Sequence, residues 1–269
     1  MLISRLCRLA VVSAGLLLAA ACVGPPPPPP PPGNCCEVPW SYANQESWAT
    51  LSPCYFDCGR NGEIPGGGEQ SPIDFVNPRQ QSLPAVDFSG YGRVPGLKSR
   101  NNGHTVRIDI PKGAATLRLD GMVYELQQFH FHAPSEHKIR DNERAMEIHF
   151  VNVSERGRVV AVGVFIKDGT SNPELAKIWQ RLPQPGEGPV DLGEINLAGL
   201  LPSGRTSFRY AGSLTNPPCN QGFQWIVYHD AIDLAQEDVD RFKALFPGGN
   251  SRNVQPLNGR VVVTDVTRP

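Results

Sequence analysis

Neither sign of charge predominates in these 269 residues: 25 Lys and Arg stand against 26 Asp and Glu, a formal net charge of −1. No basic run occurs, so the electrostatic footprint of nucleic-acid binding is missing. After the first two dozen positions there is also no apolar stretch long enough to cross a bilayer as a helix. Internal repeats are absent, and a single proline run is the one low-complexity tract. Solenoids and repeat arrays are thereby excluded. The partner that these absences leave is a small molecule.

What is present begins with an export pattern. Arg5 and Arg8 precede an apolar run from Leu9 to Ala21 that ends in small residues. Residues 1–21 fit an export signal, too short for a stable spanning helix. Ala19, Ala20, Ala21 and Cys22 resemble a bacterial lipoprotein cleavage box, with the leucine one place early at Leu18. Two fates stay open for Cys22: acylation as a lipid anchor, or simple cleavage and release. The expected location is periplasmic or membrane-anchored at a bacterial cell envelope. Residues 22–33 carry eight consecutive prolines, Pro25 to Pro32, which form a stiff polyproline II spacer about 25 Å long at ~3.1 Å per residue. Recognition by a proline-binding partner is the competing use. Residues 34–269 then suffice for one large core without an internal linker.

Seven cysteines are present. Cys7 leaves with the signal and Cys22 has the fates just given, so Cys35, Cys36, Cys54, Cys58 and Cys219 meet an oxidising compartment. Five is odd, and the pairing stays open. Adjacent Cys35 and Cys36 are poor partners on geometric grounds. A bridge from the 54–58 region to Cys219 would close a long loop, nominally worth about 4–5 kcal/mol.

Strand candidates with alternating or β-branched character are Val106–Ile110, Thr116–Leu119, Val159–Ile166, Phe223–Val227 and Val261–Val263. Asn172 and Pro173 open a helix expected to reach about Leu182, and Leu234–Phe246 has helical periodicity stopped by Pro247 and Gly248. Strands outnumber helices. The expected class is mostly β, an α+β protein with few short helices.

The chemistry concentrates between Gln128 and His149, reading QFHFHAPSEHKIRDNERAMEIH. On a strand alternate side chains share a face, so Gln128, His130 and His132 point one way and Phe129 and Phe131 the other. Two such imidazoles lie roughly 6.5–7 Å apart along the strand, close enough to lean toward one metal ion. Met146–Val153 alternates in the same way, with Glu147, His149 and Val151 on one face and Ile148 and Phe150 on the other. If the two strands pair antiparallel, His149 arrives beside the first two histidines. Three protein donors leave the fourth tetrahedral vertex to water, the arrangement of a catalytic zinc. A single strand histidine is ordinarily a satisfied polar group. Three in phase, with Gln128 and Glu147 two residues from a ligand as acceptors for the second ring N–H, point instead to a metal site.

At this point the residues resemble a known family, the α-class carbonic anhydrases and particularly their secreted bacterial members. The motifs run in order from Trp40: WSY at Trp40–Tyr42, QSPID at Gln70–Asp74, NNGH at Asn101–His104, QFHFH at Gln128–His132, SEH at Ser135–His137, EIH at Glu147–His149, GSLTNPPC at Gly212–Cys219 and QPLNGR at Gln255–Arg260. The resemblance implies a large, twisted, mostly antiparallel central sheet, and Zn2+ held by His130, His132 and His149 with Gln128 and Glu147 behind them. It implies reversible hydration of carbon dioxide to bicarbonate and a proton, with zinc-bound hydroxide as nucleophile. Thr215 would orient that nucleophile by donating its own proton to Glu136. Val151, Leu214 and Trp225 match the wall of the substrate niche, with Ala161 where a larger valine is common; each alone would read as core. His104 matches the proton shuttle, its ordinary pKa of about 6.5 suiting proton exchange near neutrality. Without the family it would be a surface histidine in an Asn/Gly turn. Cys58 and Cys219 match the single disulfide of bacterial members, whereas Cys35, Cys36 and Cys54 have no counterpart. Three positions depart from the pattern and bear on rate and inhibitor affinity: Asn216 where threonine is frequent, Arg107 where the residue is usually small or an amide, and Ala133 where many animal members have tryptophan.

Two rival readings remain at this level. His130, His132 and Glu136 also satisfy the HxHxxxE pattern of cupin-like metal oxygenases and isomerases, although that family's flanking glycines and second PxG motif are missing. Alternatively the same fold serves as a non-enzymatic binding or scaffold module held at the envelope by Cys22 and the proline rod.

Overall fold

Alternation in the sequence becomes a sheet in the computed structural model, which describes residues 38–59 and 68–265. Its strands are β1 (Arg79–Gln80), β2 (Asp87–Gly90), β3 (Arg93–Asn101), β4 (Val106–Asp109), β5 (Thr116–Leu119), β6 (Met122–His132), β7 (Met146–Val153), β8 (Val159–Asp168), β9 (Val190–Asn196), β10 (Ser207–Ser213), β11 (Gln221–Leu234) and β12 (Val263–Thr264). They form one sheet in the order β1, β12, β10, β11, β8, β7, β6, β4, β3, β9, with β5 joined to β2 and β6. The β1/β12 and β8/β11 pairs run parallel and the rest antiparallel. Helices are few: α1 (Trp48–Leu51), α2 (Pro173–Trp179), α3 (Gln236–Leu245) and some 3-10 turns.

One face of the central strands is hydrocarbon. Phe129 and Phe131 of β6 and Ile148 and Phe150 of β7 are fully buried there with Leu175 and Trp179 of α2 and Phe242 of α3. Each such side chain contributes about 1.5–3 kcal/mol relative to exposure. A one-residue slip would reverse the faces, so this burial fixes the register and turns the histidines to the opposite side. On that side direct Cα partners align Arg100, Arg107, His130, His149 and Gly163 in a single row across β3, β4, β6, β7 and β8.

Several element boundaries differ from those the sequence predicts. Helix α2 stops at Trp179, short of Leu182, because Pro183 disfavours helical backbone just before it. Leu234 ends β11, where it pairs with Asp168 and is wholly buried, so α3 starts only at Gln236. Strand β11 extends far beyond Phe223–Val227, crossing the polar His229 and Asp230 through an irregularity between Tyr228 and Ile232. Val261 is left outside β12 and is 58% exposed.

Cys58 and Cys219 are disulfide-bonded across 161 residues and pack with Trp48 and Tyr55. Cys54 is disulfide-bonded as well. The expected export signal, Cys22, the proline spacer, Cys35 and Cys36 all lie outside the described residues.

Candidate metal centre

The antiparallel register of β6 and β7 sets His130 opposite His149 and His132 opposite Glu147. One ring nitrogen from each of His130, His132 and His149 then falls within 4.8 Å of the other two. Each imidazole has its second nitrogen tied to an oxygen. His130 Nδ1 donates to Gln128 Oε1 at 2.8 Å, His132 Nδ1 to the Asn250 carbonyl at 2.7 Å, and His149 Nε2 to Glu147 Oε1 at 3.0 Å. An oxygen acceptor requires the proton on that nitrogen. The lone pairs left over are on His130 Nε2, His132 Nε2 and His149 Nδ1.

His132 Nε2 is buried and has no hydrogen-bond partner. Such an orphan costs about 1–3 kcal/mol unless something takes its lone pair, and a divalent cation bound by the three nitrogens would do so. Protonation does not compete. Burial first, then the charge of neighbouring imidazoles, pushes His132 down to about 3 and His130 well below the usual histidine range. Burial lowers His149 too, although Glu147 opposes it. Neutral imidazoles are the metal-binding form, and all-nitrogen tetrahedral donor sets suit zinc. The residues present therefore fit the ion.

A second cluster, His137, Glu147 and His149, also brings candidate donors together. Its atoms are already committed. Glu147 Oε1 receives His137 Nδ1 at 2.7 Å as well as His149, while His137 Nε2 meets the Tyr210 hydroxyl at 2.6 Å. It acts as a brace for His149. Burial would raise the Glu147 carboxyl, but His137 and His149 hold it well below the usual range.

The cavity in front of the histidines has a volume of about 230 Å³. Val151, Ala161, Leu214, Phe223 and Trp225 give it an apolar wall, and Thr215 and Asn216 line it beside them. Glu136 lies deeper, with Oε1 accepting from the Arg252 amide at 2.8 Å and Oε2 3.7 Å from His149 Nδ1. Burial raises the Glu136 carboxyl well above its ordinary value, with the Thr215 hydroxyl and the Arg252 amide pulling the other way. Oε2 itself is buried without a hydrogen-bond partner among the described residues.

The family model for eukaryotic-type carbonic anhydrase matches residues 44–266. The chain belongs to the eukaryotic-type carbonic anhydrase family. It is 34% identical over 233 residues to a carbonic anhydrase of Pectobacterium atrosepticum, covering 84% of this chain and 91% of that one. With a carbonic anhydrase of Neisseria gonorrhoeae it shares 36% over 230 residues, 83% of this chain and 87% of the other. Among solved structures, the α-carbonic anhydrase of Thermovibrio ammonificans in complex with the inhibitor sulfanilamide superposes with a TM-score of 0.76 at 37% identity, over 84% of this chain and 99% of that one. Hydration of carbon dioxide is the general reaction of carbonic anhydrases.

Within this carbonic anhydrase fold His104 is placed differently from the other site residues. Its ring stacks on Trp40 at 3.8 Å and 6°, and it is not among the residues lining the cavity, although Asn102 and Thr105 on either side are. The turn is built by Asn102, whose Oδ1 accepts from the His104 and Thr105 amides. Burial against the indole lowers the His104 pKa.

Other contributors escape a reading of sequence. Asn250 supplies the acceptor for His132, and its side chain joins the Ala133 amide to the His104 and Phe131 carbonyls. It lies 118 residues from His132, with no local pattern to announce it. Gly163 did carry a signal, since a lone glycine in the apolar run VVAVGVFIK marks a close approach. An added Cβ there would meet Glu147 Oε1 at 2.8 Å.

Proposed function

We propose that this carbonic anhydrase holds one zinc ion through His130 Nε2, His132 Nε2 and His149 Nδ1 and reversibly hydrates carbon dioxide to bicarbonate and a proton. The observation that carries the reading is the convergence of three neutral imidazoles, each with its other nitrogen pinned to an oxygen and one, His132 Nε2, otherwise orphaned in the interior. When bound, zinc lowers the pKa of water to about 7, the value characteristic of carbonic anhydrase as a class, and so supplies hydroxide at neutral pH.

The chain's own residues do the rest. Gln128, the Asn250 carbonyl and Glu147 fix the three tautomers and ring orientations. Thr215 would accept a hydrogen bond from the nucleophile and donate its own proton to Glu136, whose ionised form is opposed by burial and favoured by the Thr215 hydroxyl, the Arg252 amide and the Arg252 charge. Val151, Ala161, Leu214 and Trp225 offer neutral carbon dioxide an apolar niche. His104, flanked by cavity-lining Asn102 and Thr105, passes the product proton to bulk buffer at the mouth.

Stopped-flow hydration of carbon dioxide by the mature protein should vanish with a chelator and return with zinc. Return with iron or manganese instead would favour the cupin-like reading. Zinc binding without sulfonamide-sensitive hydration would favour the scaffold reading.

We also place the enzyme outside the cytoplasm, periplasmic or lipid-anchored through Cys22. Arg5, Arg8 and the apolar run to Ala21 support export. The Cys58–Cys219 disulfide suits an oxidising compartment. Mass spectrometry of the mature N-terminus decides between acylated Cys22 and a plain cleaved end.

A further inference from the structure

Among the described residues lining the cavity, Arg107 is the one side chain of fixed charge, and none is a carboxylate. Its position in the sheet is unusual. On one side it is the direct partner of Arg100 and on the other of His130, which in turn faces His149. Like charges set directly opposite on neighbouring strands repel. The repulsion is relieved by Asp109, two residues further along β4. Asp109 Oδ1 accepts from Arg107 Nε at 2.7 Å and Nη2 at 2.6 Å, while Oδ2 accepts from Arg100 Nη2 at 2.9 Å.

This sharing has two consequences. Two guanidinium groups divide one carboxylate between them, so the cluster keeps a net positive charge. Arg107 is also fixed in orientation by its Nε edge, which leaves Nη1 without a hydrogen bond among the described residues. Arg107 is the direct strand partner of His130, so its charge stands beside the candidate metal centre.

We propose that Arg107 is an anion-selecting residue at the mouth of the cavity, held by Asp109 and left positive by Arg100, which favours ligands bearing a carboxylate, the bicarbonate product among them, over neutral ligands of the same shape. The inference rests on the metal-centred reading given above. An amide at this position would hydrogen-bond without that charge preference.

The test compares two probes on the zinc-loaded mature protein by isothermal titration calorimetry: benzenesulfonamide, which is neutral at its outer end, and 4-carboxybenzenesulfonamide, which carries a carboxylate there. The readout is the ratio of their dissociation constants in the wild type, R107Q, R107K and D109N. Partly exposed ion pairs of this kind amount to about a 2- to 5-fold effect. R107Q should therefore move the ratio against the carboxylate probe by about 3-fold at low ionic strength, and added salt should shrink the difference. R107K should retain most of the preference. D109N, which uncovers more positive charge, should move the ratio the opposite way, a response that a structural role for the pair would not give. A ratio that stays put in both R107Q and D109N overturns the proposal. If neither probe binds the wild type, the metal-centred reading fails and this inference falls with it, whereas binding of both with an unmoved ratio removes this inference alone.

Discussion

Gly163 is the spacer that lets Glu147 hold His149, and replacing it with alanine measures how tightly the brace is built. The new Cβ would stand 2.8 Å from Glu147 Oε1 and 3.1 and 3.3 Å from the two methyls of Val227. Ordinary contact begins near 3.4 Å, so the carboxylate has to retreat by roughly half an ångström. It has nowhere to go. Oε1 is held by His137 at 2.7 Å and His149 at 3.0 Å, and Oε2 by the amides of Glu136 at 3.0 Å and His137 at 2.9 Å. Overpacking of this kind costs about 1–3 kcal/mol. The smaller entropy of an unfolded chain with alanine returns about 0.4–1 kcal/mol, leaving a net loss of about 1–2 kcal/mol. Disturbing a carboxylate that orients a ligand histidine lowers metal affinity by about 10- to 100-fold, and displacement without removal belongs at the lower end. Urea unfolding of the metal-free protein gives the first quantity, and zinc titration against a chromophoric chelator the second. G163A that unfolds at the wild-type urea concentration and holds zinc as tightly as the wild type would refute the reasoning. Lost stability with unchanged zinc affinity would separate Gly163 from the ligand and refute that half of it.

Replacing His104 with alanine should slow turnover in weak buffer toward about 10³ s⁻¹, the rate of unaided proton loss from an acid of pKa near 7. Added imidazole should restore it and zinc content should not change; full turnover in weak buffer would count against the relay. Glu147 is depressed in the fold, so its stabilising effect is complete above the ordinary value of 4.5 and is withdrawn as pH falls through its lower folded value. By calorimetry on the metal-free protein, the stability gap between wild type and E147Q should be flat from about pH 8 to 5 and narrow below that; a gap that widens on acidification contradicts the sign. Removing Cys58 and Cys219 together opens a 161-residue loop, nominally worth about 5 kcal/mol. Denaturant unfolding should register a loss of that order, and a loss under about 1 kcal/mol would discount the bridge.

The candidate metal centre was legible because strand alternation is a local property. Phase alone put His130, His132 and His149 on one face, and the antiparallel register of β6 and β7 brought them together. Gln128 was readable for the same reason, two residues from its histidine. What the spacing left unread is what depends on distant chain. The Asn250 carbonyl reaches His132, Trp40 covers His104, and Arg252 braces Glu136 from 116 residues away. Strand β3 was hidden by its own Pro95 and Gly96, which the fold accommodates at a register shift between Val94 and Leu97 on the β9 side. Strand β10, SFRYAGS, lacks the β-branched run that would mark it, yet it is central and buried. Arg107 was visible as a departure from the family pattern, but the carboxylate it shares with Arg100 comes only from strand pairing.

The most direct test is anomalous diffraction at the zinc edge from crystals of the mature protein loaded with zinc. A single peak is expected about 2.0–2.1 Å from His130 Nε2, His132 Nε2 and His149 Nδ1, with a solvent molecule as the remaining ligand. A peak elsewhere, a fourth ligand supplied by Glu136 or another protein side chain, or no peak after loading would contradict the assignment.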